Sequence, residues 1–314
     1  MKLASRGVLS PLLAALIAAA CQDGGSAGGT DAGTDAGTGT DTDSDTQTDT
    51  DTSNGPWLQF SAGGAHTCGI RTDSSVECWG ANNWHQIEAP AGEFKHVATG
   101  GTHNCVVAMD DTLECFGLDD DGQTDPPPGA FRQVSLGGAH GCAIDFDDLI
   151  TCWGVNDDGQ SDAPDGEFDM VFASRAGRHT CGLRPDGTAE CWGWNSDGQC
   201  DVPDETFGWL GAGYKHTCGM TTDDELVCWG NNDSEQLDVP EEAFTAFEAG
   251  SHHNCGLVED GAIVCWGNNY YLQSIPPAGS YQALSVGSIH NCAQDAAGSL
   301  ACWGHNTLGR CDVP

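Results

Sequence analysis

The chain has 314 residues, with 47 acidic against 10 basic side chains, a net charge of −37 and 17 cysteines. So acidic a surface repels phosphate backbones, which excludes a nucleic-acid binder built on a basic stripe. That many cysteines at regular spacing point to an oxidising compartment.

Residues 1–20 read as a secretory signal peptide. Lys2 and Arg6 supply the positive start, and Val8 to Ala20 is apolar apart from Ser10 and Pro11. The stretch is too short for a membrane-spanning helix. Cys21 follows Ala18-Ala19-Ala20 and resembles a bacterial lipobox, which implies lipidation of Cys21. Gln22, rather than Asp, implies by the same resemblance an outer-membrane or cell-surface destination in the cell envelope. Cleavage by an ordinary signal peptidase, and secretion, is the alternative. Residues 21–56 then form a Thr/Asp/Gly tether with no large apolar side chain, so it cannot bury enough surface to offset ordering.

From Trp57 to the end the chain repeats seven times. The units start at Trp57, Phe94, Phe131, Phe168, Phe207, Phe244 and Tyr281, spaced 37, 37, 37, 39, 37 and 37 residues. Each carries an aromatic start, an apolar stretch, Gly-x-x-His, a residue, Cys, nine residues, Cys, then Trp-Gly and a polar loop that often ends in Gly-Gln. Short strands at a period near 40 signal propeller blades. The expected fold is all-β, a seven-bladed β-propeller over 57–314.

Pairing Cys181 opposite Cys191 leaves Pro185-Asp186-Gly187 as a three-residue hairpin loop, with Gly supplying a positive φ. Facing cysteines on antiparallel strands would have Cα atoms about 4.5–5.5 Å apart, within disulfide range. The same register predicts one cross-strand disulfide per blade: Cys68–Cys78, Cys105–Cys115, Cys142–Cys152, Cys181–Cys191, Cys218–Cys228, Cys255–Cys265 and Cys292–Cys302. Zinc sites favour shorter ligand spacings and more ligands per site. Cys200 and Cys311 occupy one loop position in blades four and seven, too far apart around a ring to bridge. They are expected as free thiols or intermolecular links.

These units resemble the regulator of chromosome condensation repeat, through Gly-x-x-His, Asp-Gly, Trp-Gly-x-Asn and Gly-Gln. The short period is similar to the bacterial branch that includes the propeller-type β-lactamase inhibitor protein. The resemblance implies a seven-bladed propeller. Departures are Phe116 in place of Trp, and a two-residue insertion near Ser174–His179 with Ala176 in place of Gly, flanked by Arg175 and Arg178. The chromatin and GTPase roles of the family's founder do not suit an acidic, exported chain.

His66, His103, His140, His179, His216, His253 and His290 recur once per unit, so they form a ring rather than a cluster. They read as buried imidazoles bonding a neighbouring strand or blade. Asp119, Asp120, Asp121, Asp157 and Asp158 lie in Asn/Asp-Gly turns; their spacing matches no known calcium loop, so solvated turns are the reading and calcium the alternative. No catalytic motif and no cofactor motif appears.

The loop after Trp-Gly differs among units. Blades two to five are small and acidic there, whereas blades six, seven and one carry Tyr270, Tyr271, Leu272, Leu308, Trp84 and His85. Blade seven abuts blade one in a closed ring, so these residues form one sector, and exposed aromatic side chains in one patch are common interface anchors. Packing of the same side chains on adjacent loops is the competing reading. The function expected is a monomeric envelope lipoprotein whose acidic propeller binds a protein partner, a basic one by charge. The alternatives are a carbohydrate- or polymer-acting enzyme, or a purely structural surface protein.

Overall fold

Seven three-stranded antiparallel sheets, each paired in chain order, follow one another around an axis in this computed structural model, which describes residues 56–314. The signal segment, Cys21 and the tether up to Gly55 lie outside the described residues. In blade one the strands are β1 (Trp57–Ala62), β2 (His66–Arg71) and β3 (Val76–Gly80). The first strands of the other blades are β4 (Phe94–Thr99), β7 (Phe131–Leu136), β10 (Met170–Ala173), β13 (Phe207–Ala212), β16 (Phe244–Ala249) and β19 (Tyr281–Val286). These seven first strands contact one another in sequence and line the axis.

The repeat dictates this layout residue by residue. The second strand, HTCGIR in blade one, is buried along its whole length because another strand flanks it on each side and another blade covers it. The hairpin loop places one residue at positive φ in every blade: Ser74, Asp111, Asp148, Gly187, Asp224, Gly261 and Gly298. In blade four Arg184 N–H donates to Thr188 O, leaving Pro185-Asp186-Gly187 as the loop. The Gly after each Trp has positive φ too, and a Cβ on Gly80 would lie 2.8 Å from Ala65 O and from His66 Cα.

Each cysteine pair sits directly opposite in register, and all seven disulfides are formed within blades. The Cα separation is 4.0 Å in every pair. That is shorter than the expected range, because the bond draws the facing strands together. Cys200 and Cys311 are unpaired and partly buried. Burial pushes their thiols up, to about 12 and about 11.

The core lies between blades rather than inside them. Cys68 and Ile70 of blade one pack on Phe94, Val97 and Val106 of blade two, and similar clusters recur around the ring. Polar bonds lock each junction. Trp Nε1–H of one blade donates to the main-chain carbonyl at the Gln position of the preceding loop, as Trp192 does to Gln160 O at 3.0 Å. The ring histidines bond the next blade: His66 to Asn104, His140 to Thr180, His179 to Thr217, His216 to Asn254, His253 to Asn291 and His290 to Thr67. Two junctions are incomplete. Phe116 has no indole N–H, and Gly141 offers no side chain to His103, whose two ring nitrogens are both unpartnered.

Among the described residues no strand is exchanged to close the ring. Closure rests on junction bonds between blades seven and one, including Ser288 N–H to Gly63 O at 3.0 Å and Trp79 Nε1–H to Arg310 O at 3.0 Å. The two faces of the disc differ. One carries the hairpin turns and the starts of the first strands; we call it the hairpin face. The other carries the ends of the first strands and the loops after Trp-Gly, the loop face.

Candidate functional site

The loops after Trp-Gly share one internal clamp. The Asn at the third position, Asp119 in blade two, accepts an N–H five residues on through Oδ1, and in five blades that Asn also donates through Nδ2 to the carboxylate six residues on. Asn156 with Ser161 and Asp162, and Asn195 with Cys200 and Asp201, show the pattern. The Gln side chain accepts the N–H two residues before it, as Gln160 does from Asp158. The acidic residues of these loops are thus largely turn chemistry, and among the described residues no group of three or more His, Cys, Asp or Glu is placed to hold a metal ion.

On this scaffold the residue before Gln always has positive φ. It is Gly122, Gly159, Gly198 and Gly309 in four blades, but His85, Glu235 and Leu272 in the others. A residue with a Cβ costs roughly 1–2 kcal/mol there relative to the ordinary helical conformation. His85 and Leu272 are held at this strained position with their side chains exposed, and such strain clusters at functional sites.

The sector expected from the sequence lies on the loop face. Tyr270 is 81 % exposed and Leu272 62 %, while Trp84, Leu308 and Tyr271 are about half as open as Tyr270. Tyr270 meets Tyr271 edge-on at 4.8 Å, and Tyr271 meets His305 of blade seven at 4.4 Å. The structure therefore joins blades six and seven by direct ring contact. Trp84 and His85 occupy the neighbouring blade-one loop, and no ring contact links them to that cluster among the described residues. His85 instead contacts Glu88 at 2.9 Å.

Sequence reasoning missed His305, and it missed a second aromatic run on the same face. Trp194, Tyr214 and His252, from blades four, five and six, stack in a row at 5.9 and 5.2 Å, with Lys215 above Trp194. The signal was present: Tyr214 stands where blades one, two and three have Gly64, Gly101 and Gly138, and Trp194 stands where their loops have Ala81, Leu118 and Val155.

The electrostatics are one-sided. Residues 57–314 carry 39 acidic and 8 basic side chains, a net −31. Seven of the eight cations are ion-paired: Arg71–Glu77, Lys95–Asp111, Arg132–Asp148, Arg175–Glu248, Arg178–Asp158, Arg184–Glu190 and Lys215–Asp197. The eighth, Arg310, is buried at the junction of blades seven and one and donates to Gly64 O. The cations of the propeller are thus engaged with partners inside the chain.

The family described as Regulator of chromosome condensation (RCC1) repeat matches residues 131–160, 177–199, 210–236 and 244–273. These segments, in blades three to six, are similar to RCC1 repeats. The propeller fold is shared with solved structures at low identity. The ectodomain of the receptor kinase CR4 from Physcomitrella patens aligns with a TM-score of 0.68 and 24 % identity, over 78 % of this chain and 72 % of that one. The ectodomain of the receptor kinase ACR4 from Arabidopsis thaliana aligns at 0.65 and 24 %, over 78 % and 95 %. Prp20p of Saccharomyces cerevisiae aligns at 0.62 and 15 %, over 73 % and 80 %. No curated protein matches the chain. These likenesses show the propeller fold and leave its partner open.

Proposed function

We propose that the chain is an envelope-anchored binding module that captures a basic protein through the blade six–seven–one sector of its loop face. The observation that carries this reading is the exposed cluster Tyr270–Tyr271–His305, flanked by Leu272 and His85 at strained positions. Four sister loops manage the same turn with Gly, so the turn itself does not require these side chains. The net −31 of the propeller supports a cationic partner, since complementary fields speed encounter. The yeast relative Prp20p binds Gsp1p and histones; at 15 % identity neither partner transfers to this chain.

Anchoring fits the same geometry. Pro56 lies against Gly298 and Trp57 N–H donates to Gly298 O, so the preceding chain enters at the hairpin face. A lipid on Cys21 would tether the propeller from its hairpin face and leave the aromatic sector at the opposite end from the attachment. Replacing Cys21 with Ser is expected to move the protein from the membrane fraction to the soluble fraction. Equal membrane retention of the Ser variant would remove the anchor from the proposal.

The binding site is tested with two variant sets on crosslinked capture from native envelopes. Replacing Trp84, Tyr270 and Tyr271 with Ala is expected to abolish capture, since a truncated anchor commonly costs about 2 kcal/mol or more. Replacing Asp120, Asp121 and Asp157 with Asn is expected mainly to slow association at low salt. Undiminished capture by the aromatic variant, with its disulfides intact, would eliminate this sector.

A further inference from the structure

The axis of the propeller holds a pocket that the binding reading does not use. The third and fifth residues of the repeat units face the axis, giving Gln59, His96, Gln133, Met170 and Trp209 in one tier and Ser61, Ser135, Phe172, Glu248 and Ser285 in the next. Together they bound a cavity of about 210 Å³. Its rim at the hairpin face includes Lys95, Arg132 and Asp169. The cavity has two unlike sides. Phe172 and Trp209 meet edge-on at 5.0 Å and, with Met170, make an apolar wall from blades four and five. Polar side chains of blades one, two, three and seven make the other.

The loop-face end is spanned by one side chain. Arg175 sits in the irregular connection between β10 and the second strand of blade four, His179–Leu183, and crosses to the opposite side of the ring. Its Nη1 donates to Val286 O at 2.7 Å, to Glu248 Oε2 at 3.0 Å, and at longer range to Ser285 Oγ and Ala62 O. Glu248 Oε2 also accepts Val286 N–H at 2.9 Å, so that carboxylate is fixed. All the bonds of Arg175 run through Nη1. Among the described residues its Nε–Nη2 edge has no hydrogen-bond partner, and that edge is the guanidinium geometry that grips a carboxylate with two parallel bonds. Arg175 thus crosses the loop-face end of the pocket, while Lys95, Arg132 and Asp169 stand at its hairpin-face rim.

A second unused polar group lies in the same wall. Gln59 and Gln133 each spend both ends of the amide on the next blade, on Val97 and Val171. His96 replaces Gln at this position of blade two and makes no such bond; its Nδ1 is buried without a partner. Burial and the nearby Arg175 hold it down to about 4, so at neutral pH it is an uncharged imidazole with one donor and one acceptor.

We propose that the axial cavity binds a small organic carboxylate with an apolar, preferably aromatic body. The carboxylate takes the Nε–Nη2 edge of Arg175, His96 supplies a further hydrogen bond, and the body lies against Trp209 and Phe172. Lys95, Arg132 and Arg175 line this cavity together with Asp169 and Glu248, and all three cations are ion-paired, so the open edge of Arg175 rather than net charge selects the carboxylate. The site is independent of the loop-face sector.

The test is calorimetric and ligand-observed NMR titration of the full-length chain with benzoate and 3-phenylpropanoate, using benzamide as the neutral match. The carboxylates are expected to saturate one site and benzamide to bind at least about tenfold more weakly, as loss of one charge-assisted contact implies. Arg175→Lys keeps the charge and removes the fork, and should weaken benzoate at least about tenfold with all seven disulfides and the thermal midpoint retained. His96→Phe is the second variant, should Arg175→Lys fail to fold; it removes no bond to the protein and is expected to block the pocket. Raising salt should preserve or tighten binding, because it screens the repulsion between an anionic ligand and the acidic shell, whereas a ligand on surface lysines would be released. No saturable binding up to about 10 mM, equal binding of benzamide, or an unaltered affinity in both variants would each overturn the proposal.

Discussion

Opening the seven disulfides is expected to unfold the propeller at neutral pH and room temperature. Each bridge joins cysteines ten positions apart, so each closes a loop of eleven residues. In the chain-entropy account such a loop is worth about 2.8 kcal/mol. Seven together approach 20 kcal/mol in the unstrained limit, which exceeds the roughly 5–15 kcal/mol net stability of an ordinary domain. The bridges also hold the second and third strands together, and these supply most of the inter-blade core. Chemical denaturation with and without reductant should give a cooperative transition only for the oxidised protein. Removing one pair, Cys218→Ala with Cys228→Ala, is expected to lower stability by about 2–3 kcal/mol. Replacing the unpaired Cys200 with Ser should do far less, since it closes no loop. A reduced protein that kept its folded transition would show that the junction bonds alone sustain the ring.

The fold was legible because every repeat states the same local chemistry. The Cys-x9-Cys spacing, the turn residue at positive φ and the Trp-Gly step each fix a register, and seven copies leave little ambiguity about blade number. The histidine ring was legible as buried structure, but its partners were not. His66 bonds Asn104 and His290 bonds Thr67, and those pairs follow only once the blades are placed side by side. Arg175 marks the limit more sharply. The insertion around it stood out in the sequence, yet its partners Glu248 and Val286 are more than seventy positions away, across the axis. Aligning the units would have helped, since Glu248 is the one acidic side chain at a position held elsewhere by Ser61, Ala98, Ser135, Phe172, Gly211 and Ser285. The loop-face sector was legible by the same comparison of sister loops. The stacking of His305 and of Trp194–Tyr214–His252 was not, because it depends on the distance between neighbouring loops.

Acidification is expected to unfold the protein above the range in which carboxylates titrate. The seven ring imidazoles are fully buried. Burial is the leading cause that holds His66, His140, His216 and His253 down to about 4, His103 and His179 to about 3, and His290 well below the ordinary value of 6.5. Below pH 6.5 the unfolded chain gains protons that the folded chain refuses. The stability supplied by neutral histidines is therefore complete above that pH and is lost as pH falls toward 4. Each ring removes up to about 1.4 kcal/mol per pH unit in this window, and seven act together. The exposed carboxylates of Asp73, Asp110 and Asp186 are held low by hydrogen bonds from Ser75, Thr112 and Thr188, so their contribution disappears only below 3.8. A fall in thermal midpoint between pH 6.5 and 5 thus reports the histidines. Two variants separate burial from bonding. His216→Leu breaks the bond to Asn254 and strands its Oδ1, while Nδ2 still donates to Gln236 O, so it should cost about 1–3 kcal/mol at neutral pH. His103 has no partner on either nitrogen, so His103→Leu should leave neutral-pH stability unchanged or raised while moving the acid transition to lower pH. A thermal midpoint that stayed level from pH 7 to 5, or equal losses for the two variants at neutral pH, would contradict this account of the ring.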